Sequence, residues 1–186
     1  LAQTPLPRLI SDHGVVAFFE TGTGDGSGIE EALRLGILPA HTADIADSAA
    51  RSAFERLARH GAFFHLGESW RVLVGELPRL ASPALFWLDA HAMDVDRVPT
   101  NPGDLLRMPL PAEIRAIVGG GRSCARDVIL IDDLRMFEDC ACDDGPLPGR
   151  SDLGLGSIAF AEDALRATHR AERWRVGTGV LALLPR

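Results

Sequence analysis

Lysine and tyrosine are missing from this 186-residue chain, so all 19 basic side chains are Arg. The lack of Lys removes one common catalytic base. The Arg residues are scattered, with no cluster denser than Arg166 to Arg175, and the net charge is −7. A phosphate-backbone footprint is therefore missing, and nucleic acid is not an expected partner. No apolar run approaches the roughly 20 residues of a membrane span. The N-terminus shows no basic segment leading into an apolar core, so the expectation is a cytoplasmic protein with no membrane partner. The chain opens on Leu1, which leaves room for residues ahead of it. Cysteine is scarce and odd in number, at Cys124, Cys140 and Cys142, which suits a reduced setting. Cys140 and Cys142 sit in an acidic run that could hold a soft metal, but the further ligands a zinc site needs are not evident. The plainer expectation is a loop with incidental thiols.

What is there reads as an ordinary globular chain, 46% apolar and 24% charged. Its length fits a single domain over residues 1–186, burying roughly 70% of the surface the unfolded chain exposes. Apolar runs alternate with segments of helical period. Strands are expected at Gly14–Phe19, Ala40–Ile45, Ala62–Leu66, Ala84–Leu88 and Asp127–Ile131. Helices are expected at Ser27–Leu35, from an Asp47 or Ser48 cap to His60, and at Ser69–Leu80, Pro111–Val118 and Ile158–Arg170. The stretches 89–110 and 138–155 read as loops. Arg173–Gly177 and Gly179–Leu184 read as a closing hairpin turning near Thr178. This alternation implies right-handed crossovers and an α/β, Rossmann-like three-layer sandwich. Its seven-stranded sheet would be mostly parallel, with a C-terminal antiparallel hairpin.

The first strand runs into Glu20-Thr21-Gly22-Thr23-Gly24-Asp25-Gly26 and then directly into a helix. Glycines at such a bend let the backbone turn tightly and approach a ligand. The dinucleotide fingerprint Gly-x-Gly-x-x-Gly fails at its third position, which is Ser27 counted from Gly22 and Ile29 counted from Gly24. An acid, a spacer and Gly-x-Gly-x-Gly do fit, and here the sequence resembles the class I S-adenosylmethionine-dependent methyltransferases. The resemblance implies that Glu20, Gly22, Gly24 and Gly26 bind the cofactor. It also implies a ribose-binding acid after the second strand, Asp44, with Asp47 as competitor. Glu68 and Ser69, after the third strand, would meet the adenine.

Two further strands end in acids, giving Leu88-Asp89-Ala90-His91 and Ile131-Asp132-Asp133. Three carboxylates gathered at one rim repel unless a cation joins them, and oxygen ligands suit Mg²⁺. This pattern resembles the divalent-cation-dependent O-methyltransferases. By that resemblance Asp89, Asp132 and Asp133 would hold the metal, which would lower the pKa of a substrate hydroxyl, and Asp89 would also bind the cofactor. Those enzymes often use a Lys after the fourth strand; His91 is the nearest substitute as base. Arg135 could instead pair with Asp132 or Asp133 in a metal-free rim salt bridge. Met93, Val95, Val98, Met108, Met136 and Phe137 are candidates for an apolar acceptor slot. The short N-terminal stretch leaves little to cover the slot, so either residues are missing, a partner subunit of a homo-oligomer completes it, or it is open. The expected activity is methylation of a small hydroxylated molecule; a binding module that has lost its chemistry is the alternative.

Overall fold

The computed structural model describes residues 4–91, 108–149 and 155–186. Seven strands form one sheet: β1 Ala17–Thr21, β2 Ala40–Asp44, β3 Ala62–Leu66, β4 Ala84–Leu88, β5 Val128–Ile131, β6 His169–Trp174 and β7 Val180–Pro185. Their spatial order is β3-β2-β1-β4-β5-β7-β6. β1 to β5 run parallel, while β7 pairs antiparallel with both β5 and β6. The Rossmann-like three-layer sandwich expected from the apolar alternation is the architecture observed. Among the described residues no helix is long and apolar enough to cross a membrane.

The central strands β1 and β4 are buried along their whole length, as strands covered on both faces must be. One face carries Phe19, Phe86, Ile129 and Leu183 and packs against α4 Ser69–Glu76, α5 Leu110–Gly119 and α6 Ala159–Leu165. The other carries Phe18, Leu85, Leu130 and Ala182 under α1 Leu6–His13, α2 Ser27–Arg34 and the C-terminal end of α3 Asp47–Leu57. Side chains alternate across the sheet, so each strand feeds both cores. At the lower edge Asp127, fully buried, accepts hydrogen bonds from the Ala84 amide at 2.8 Å and Arg122 at 2.7 Å, tying β4 to the entry of β5.

Several expected boundaries move. α1 was not foreseen; Pro7 stands in its first turn, where a missing N–H does no harm. α3 begins at Asp47 with Ala46 in the cap position, then tightens into a 3₁₀ turn, Ala58–His60. α4 stops at Glu76, four residues short of Leu80, because Pro78 has no N–H for the ladder. α6 stops at Leu165; of the residues expected to extend it to Arg170, 166–168 form a turn and His169 and Arg170 open β6. The buried His169 ring fixes that start, with Nε2 2.9 Å from the Asp127 carbonyl. Cys140 and Cys142 are paired with each other as a disulfide across one residue rather than standing as separate thiols, and Cys124 is free.

Candidate active site

Parallel strands deliver their C-terminal residues to one rim, where this winding opens a crevice between β1 and its neighbours. The loop after β1 places Gly22, Gly24 and Gly26 at φ of 80°, 51° and 83°, a region side chains disfavour. Each glycine answers a different demand. A Cβ on Gly22 would lie 2.6 Å from the Asp89 carbonyl oxygen, and one on Gly26 would lie 2.7 Å from the Ala53 Cβ. A Cβ on Gly24 would meet nothing within 4 Å. Gly22 therefore welds the loop to the end of β4, Gly26 lets α3 pack against it, and Gly24 faces open space.

Glu20 lies under this loop, not on it. It is 3% exposed, and Thr42 donates to its Oε2 at 2.8 Å. Gly28, one residue inside α2, makes room for the carboxyl, because a Cβ there would collide with Glu20 Oε1. Burial pushes the Glu20 carboxyl up to about 8, against the lowering effect of Thr42. The folded chain thus keeps a proton that the unfolded chain releases near pH 4.5. Stability from this group is largest below that value and declines as pH rises to about 8, by up to about 1.4 kcal/mol per pH unit. Glu20→Gln should flatten that part of the profile; thermal melts of both proteins across this range measure it.

Asp44 ends β2 with its carboxylate turned to the glycine loop, accepting from the Gly24 amide at 3.3 Å and the Ala46 amide at 2.7 Å. Its competitor Asp47 opens α3. Glu68 is at the surface and ion-pairs with Arg71 one turn on. Ser69 is buried and donates to Glu113. Glu113 was not among the expected site residues. It is fully buried on α5, its pKa pushed up by burial to about 7 despite the hydrogen bond from Ser69. The signal was present: Glu113 falls on the apolar stripe of Leu110, Ile114 and Ile117, where a carboxyl has no packing purpose.

β4 and β5 lie side by side, with Leu88 opposite Ile131, so the acids that follow them converge. The His91 Nε2 is 2.7 Å from Asp133 Oδ2 and 3.2 Å from Asp89 Oδ1. Burial acts to lower the His91 pKa, but the two carboxylates outweigh it and raise the imidazole to about 10. Asp133 is held below its ordinary range: burial would raise it, and His91 more than compensates. Its backbone is left-handed at φ 52°, and Arg135 stands 3.6 Å from its Oδ1. Asp132 turns aside. Its Oδ1 accepts from the Asp133 amide at 2.8 Å and from Thr178 at 3.1 Å, and burial first, then Asp89, pushes its pKa up to about 6. Asp89, His91 and Asp133 thus form the compact cluster, their ligand atoms within 4.8 Å of one another. Asp132 stands beside it.

Below the cluster a small cavity, about 10 Å³, is lined among others by Asp89, His91, Met108, Glu113 and Asp132. Phe137, buried like its neighbour Met136, also lines this cavity, while Met136 packs in the core beside it. Met93, Val95 and Val98 lie outside the described residues.

No family model matches the sequence, and no curated protein sequence matches it. Solved structures do resemble it. The chain is similar to the O-methyltransferase TomG from Streptomyces achromogenes, a protein of tomaymycin synthesis solved with S-adenosylmethionine, at TM-score 0.57 and 19% identity over 97% of this chain and 78% of that one. A caffeoyl-CoA O-methyltransferase-like protein from Staphylococcus aureus gives TM-score 0.60 and 10% identity, over 97% and 81%. An S-adenosylmethionine-dependent methyltransferase from Aquifex aeolicus gives 0.53 and 16%, over 95% and 87%. The parallel β1–β5 sheet, its antiparallel β5-β7-β6 end and the flanking helices together make this the Rossmann-like fold of the S-adenosylmethionine-dependent methyltransferases.

Proposed function

We propose that the chain transfers a methyl group from S-adenosylmethionine to a hydroxyl of a small molecule. One observation carries the reading: the Gly22 backbone packs on the Asp89 carbonyl, so the glycine cradle and the Asp89–His91–Asp133 cluster form one continuous site. The open side of Gly24 suits a ligand lying against the loop, and Asp44 beside it has carboxylate lone pairs to offer ribose hydroxyls. The sulfonium of the donor would supply the electrophilic methyl. The chain's own work is to hold the acceptor oxygen in line and take its proton.

His91 is the group for that proton. Asp89 and Asp133 stand at ion-pair distance from Nε2, neither aligned as a hydrogen bond, while Nδ1 is buried with no hydrogen-bond partner among the described residues. A carboxylate on one imidazole nitrogen orients the ring and raises the basicity of the other. At rest His91 is protonated and neutralises the acids around it, so it must first release that proton to serve as base. The donor set also fits a divalent cation: Asp89 and Asp133, with Asp132 beside them, would hold it, and Asp133 Oδ1 is a buried oxygen with no hydrogen-bond partner among the described residues. A cation there would acidify the acceptor hydroxyl and, by its charge, lower the His91 pKa.

The test is calorimetric titration with S-adenosylmethionine, with and without Mg²⁺, and with NAD as control. Micromolar binding of the methyl donor alone is the expected result, and tighter binding with Mg²⁺ supports the cation. Failure to bind sinks the methyl-transfer reading. A second reading, a module that kept the fold and lost the activity, has one observation in its favour. The loop amides of Gly22, Gly24 and Gly26 are already bonded to Ala43, Asp44 and Thr23.

A further inference from the structure

A second cluster of metal-ligating side chains lies two strands away from the site, with β1 between them. His41 is the second residue of β2, His65 the fourth of β3, and Glu76 the last of α4. Each offers one ligand atom, and the three atoms lie within 4.8 Å of one another. The strand register pairs His41 with Phe63 and Ala43 with His65, so the two imidazoles are diagonal neighbours on one face.

We propose that His41, His65 and Glu76 form a zinc-type metal site. The His41 Nδ1 and His65 Nε2 are 3.1 Å apart and share a hydrogen bond, which a bound ion would replace. Two nitrogens on a tetrahedral zinc at Zn–N of about 2.05 Å stand about 3.3 Å apart, so an ion fits between these rings with a small tilt of each. Two imidazoles and one carboxylate are a donor set that favours Zn²⁺ or Co²⁺ over Mg²⁺, which prefers oxygen throughout. Three protein ligands leave a fourth position for water. The rings are held in place for this. His41 stacks on Phe63 at 4.8 Å between centroids and on Phe19 at 5.9 Å, and the two His rings lie within 7° of parallel. The Glu76 carboxylate has no other hydrogen bond or ion pair among the described residues, and Glu76 and His65 are both half-buried, so an ion can reach them from solvent. Bound metal would join β3, an edge strand paired on one side only, to β2 and to the end of α4.

Co²⁺ alone is the probe, titrated into the whole chain and followed by visible absorption, because a tetrahedral N/O site gives an intense band. One equivalent should bind with that band, and Zn²⁺ should displace it and raise the melting temperature. His65→Gln and Glu76→Gln should each weaken Co²⁺ binding by roughly tenfold or more. Asp89→Asn with Asp133→Asn should leave the band unchanged, which separates this site from the methyl-transfer site and makes the outcome independent of that reading. Circular dichroism of the apo variants shows that they fold; Glu76→Gln is isosteric and sits at a helix end. Absence of a tetrahedral band, or a band that His65→Gln leaves intact in a folded protein, overturns the proposal.

Discussion

Replacing Gly24 with Ala should leave a folded protein that binds S-adenosylmethionine at least about tenfold more weakly, a loss of about 1.4 kcal/mol or more in binding. Replacing Gly22 with Ala should instead leave little folded protein. The two glycines share a left-handed backbone, at φ 51° and 80°, and differ in what a Cβ would meet. At Gly24 the space is open, so the penalty on folding is only the left-handed one, about 1–2 kcal/mol. The new methyl stands where the cofactor would lie. At Gly22 the same penalty is joined by a collision with the Asp89 carbonyl at 2.6 Å. Backbone cannot swing away as a side chain can, and a loss of about 3 kcal/mol or more is expected. Denaturant melts and donor titration of both variants check the pair. A Gly24→Ala protein that binds the donor as well as the parent would remove the loop from the binding site.

His91→Ala should lower kcat about 100-fold or more, the usual worth of a positioned general base. KM for the methyl donor should change little, because no contact assigned to the donor is lost. The same substitution should destabilise the free protein near neutral pH by about 3 kcal/mol, since it leaves Asp89 and Asp133 facing each other without their cation. The pH dependence gives a sharper signature. The folded His91 pKa, about 10, exceeds the ordinary 6.5, so its stabilisation is complete below pH 6.5 and is lost as pH rises through 10. Between about pH 8, where the Glu20 contribution ends, and about pH 10 the parent should therefore lose stability and the variant should not. Equal loss of stability in both would mean that another group titrates there. Unchanged kcat in the variant would end the role of His91 as base.

The sheet was legible because its strands are buried on both faces and so write themselves as unbroken apolar runs, such as Val128–Ile131. β6 was legible only at its end, where Arg173–Gly177 read as one arm of the closing hairpin; its start at His169 was not, and for the complementary reason. As an edge strand it exposes Arg170 and Arg173, and Arg-Ala-Thr-His-Arg-Ala-Glu reads as readily as a helix until its pairing with β7 is seen. α1 escaped notice because Pro5 caps it and Pro7 stands in its first turn, so its start reads as a loop. At the rim, the motif spacing located the glycine loop and all three aspartates, since strand ends are where parallel sheets present side chains. It could not rank Asp132 against Asp133. That depends on one left-handed residue, which aims Asp133 at His91 and leaves Asp132 to Thr178. Glu113 and Gly28 went unread because each acts through a partner distant in sequence, Ser69 for the first and the Glu20 carboxyl for the second.

Asp133 is the one described residue other than glycine with a positive φ. Asp tolerates that conformation better than most residues, yet Gly would hold it at less energy, and Asn about as well. A redesign scored on backbone geometry alone would thus favour Gly at position 133, and it would strip the buried His91 of one of its two carboxylates. What the backbone gains by relaxing, the broken ion pair takes back, so position 133 is one where a local score misreads the whole.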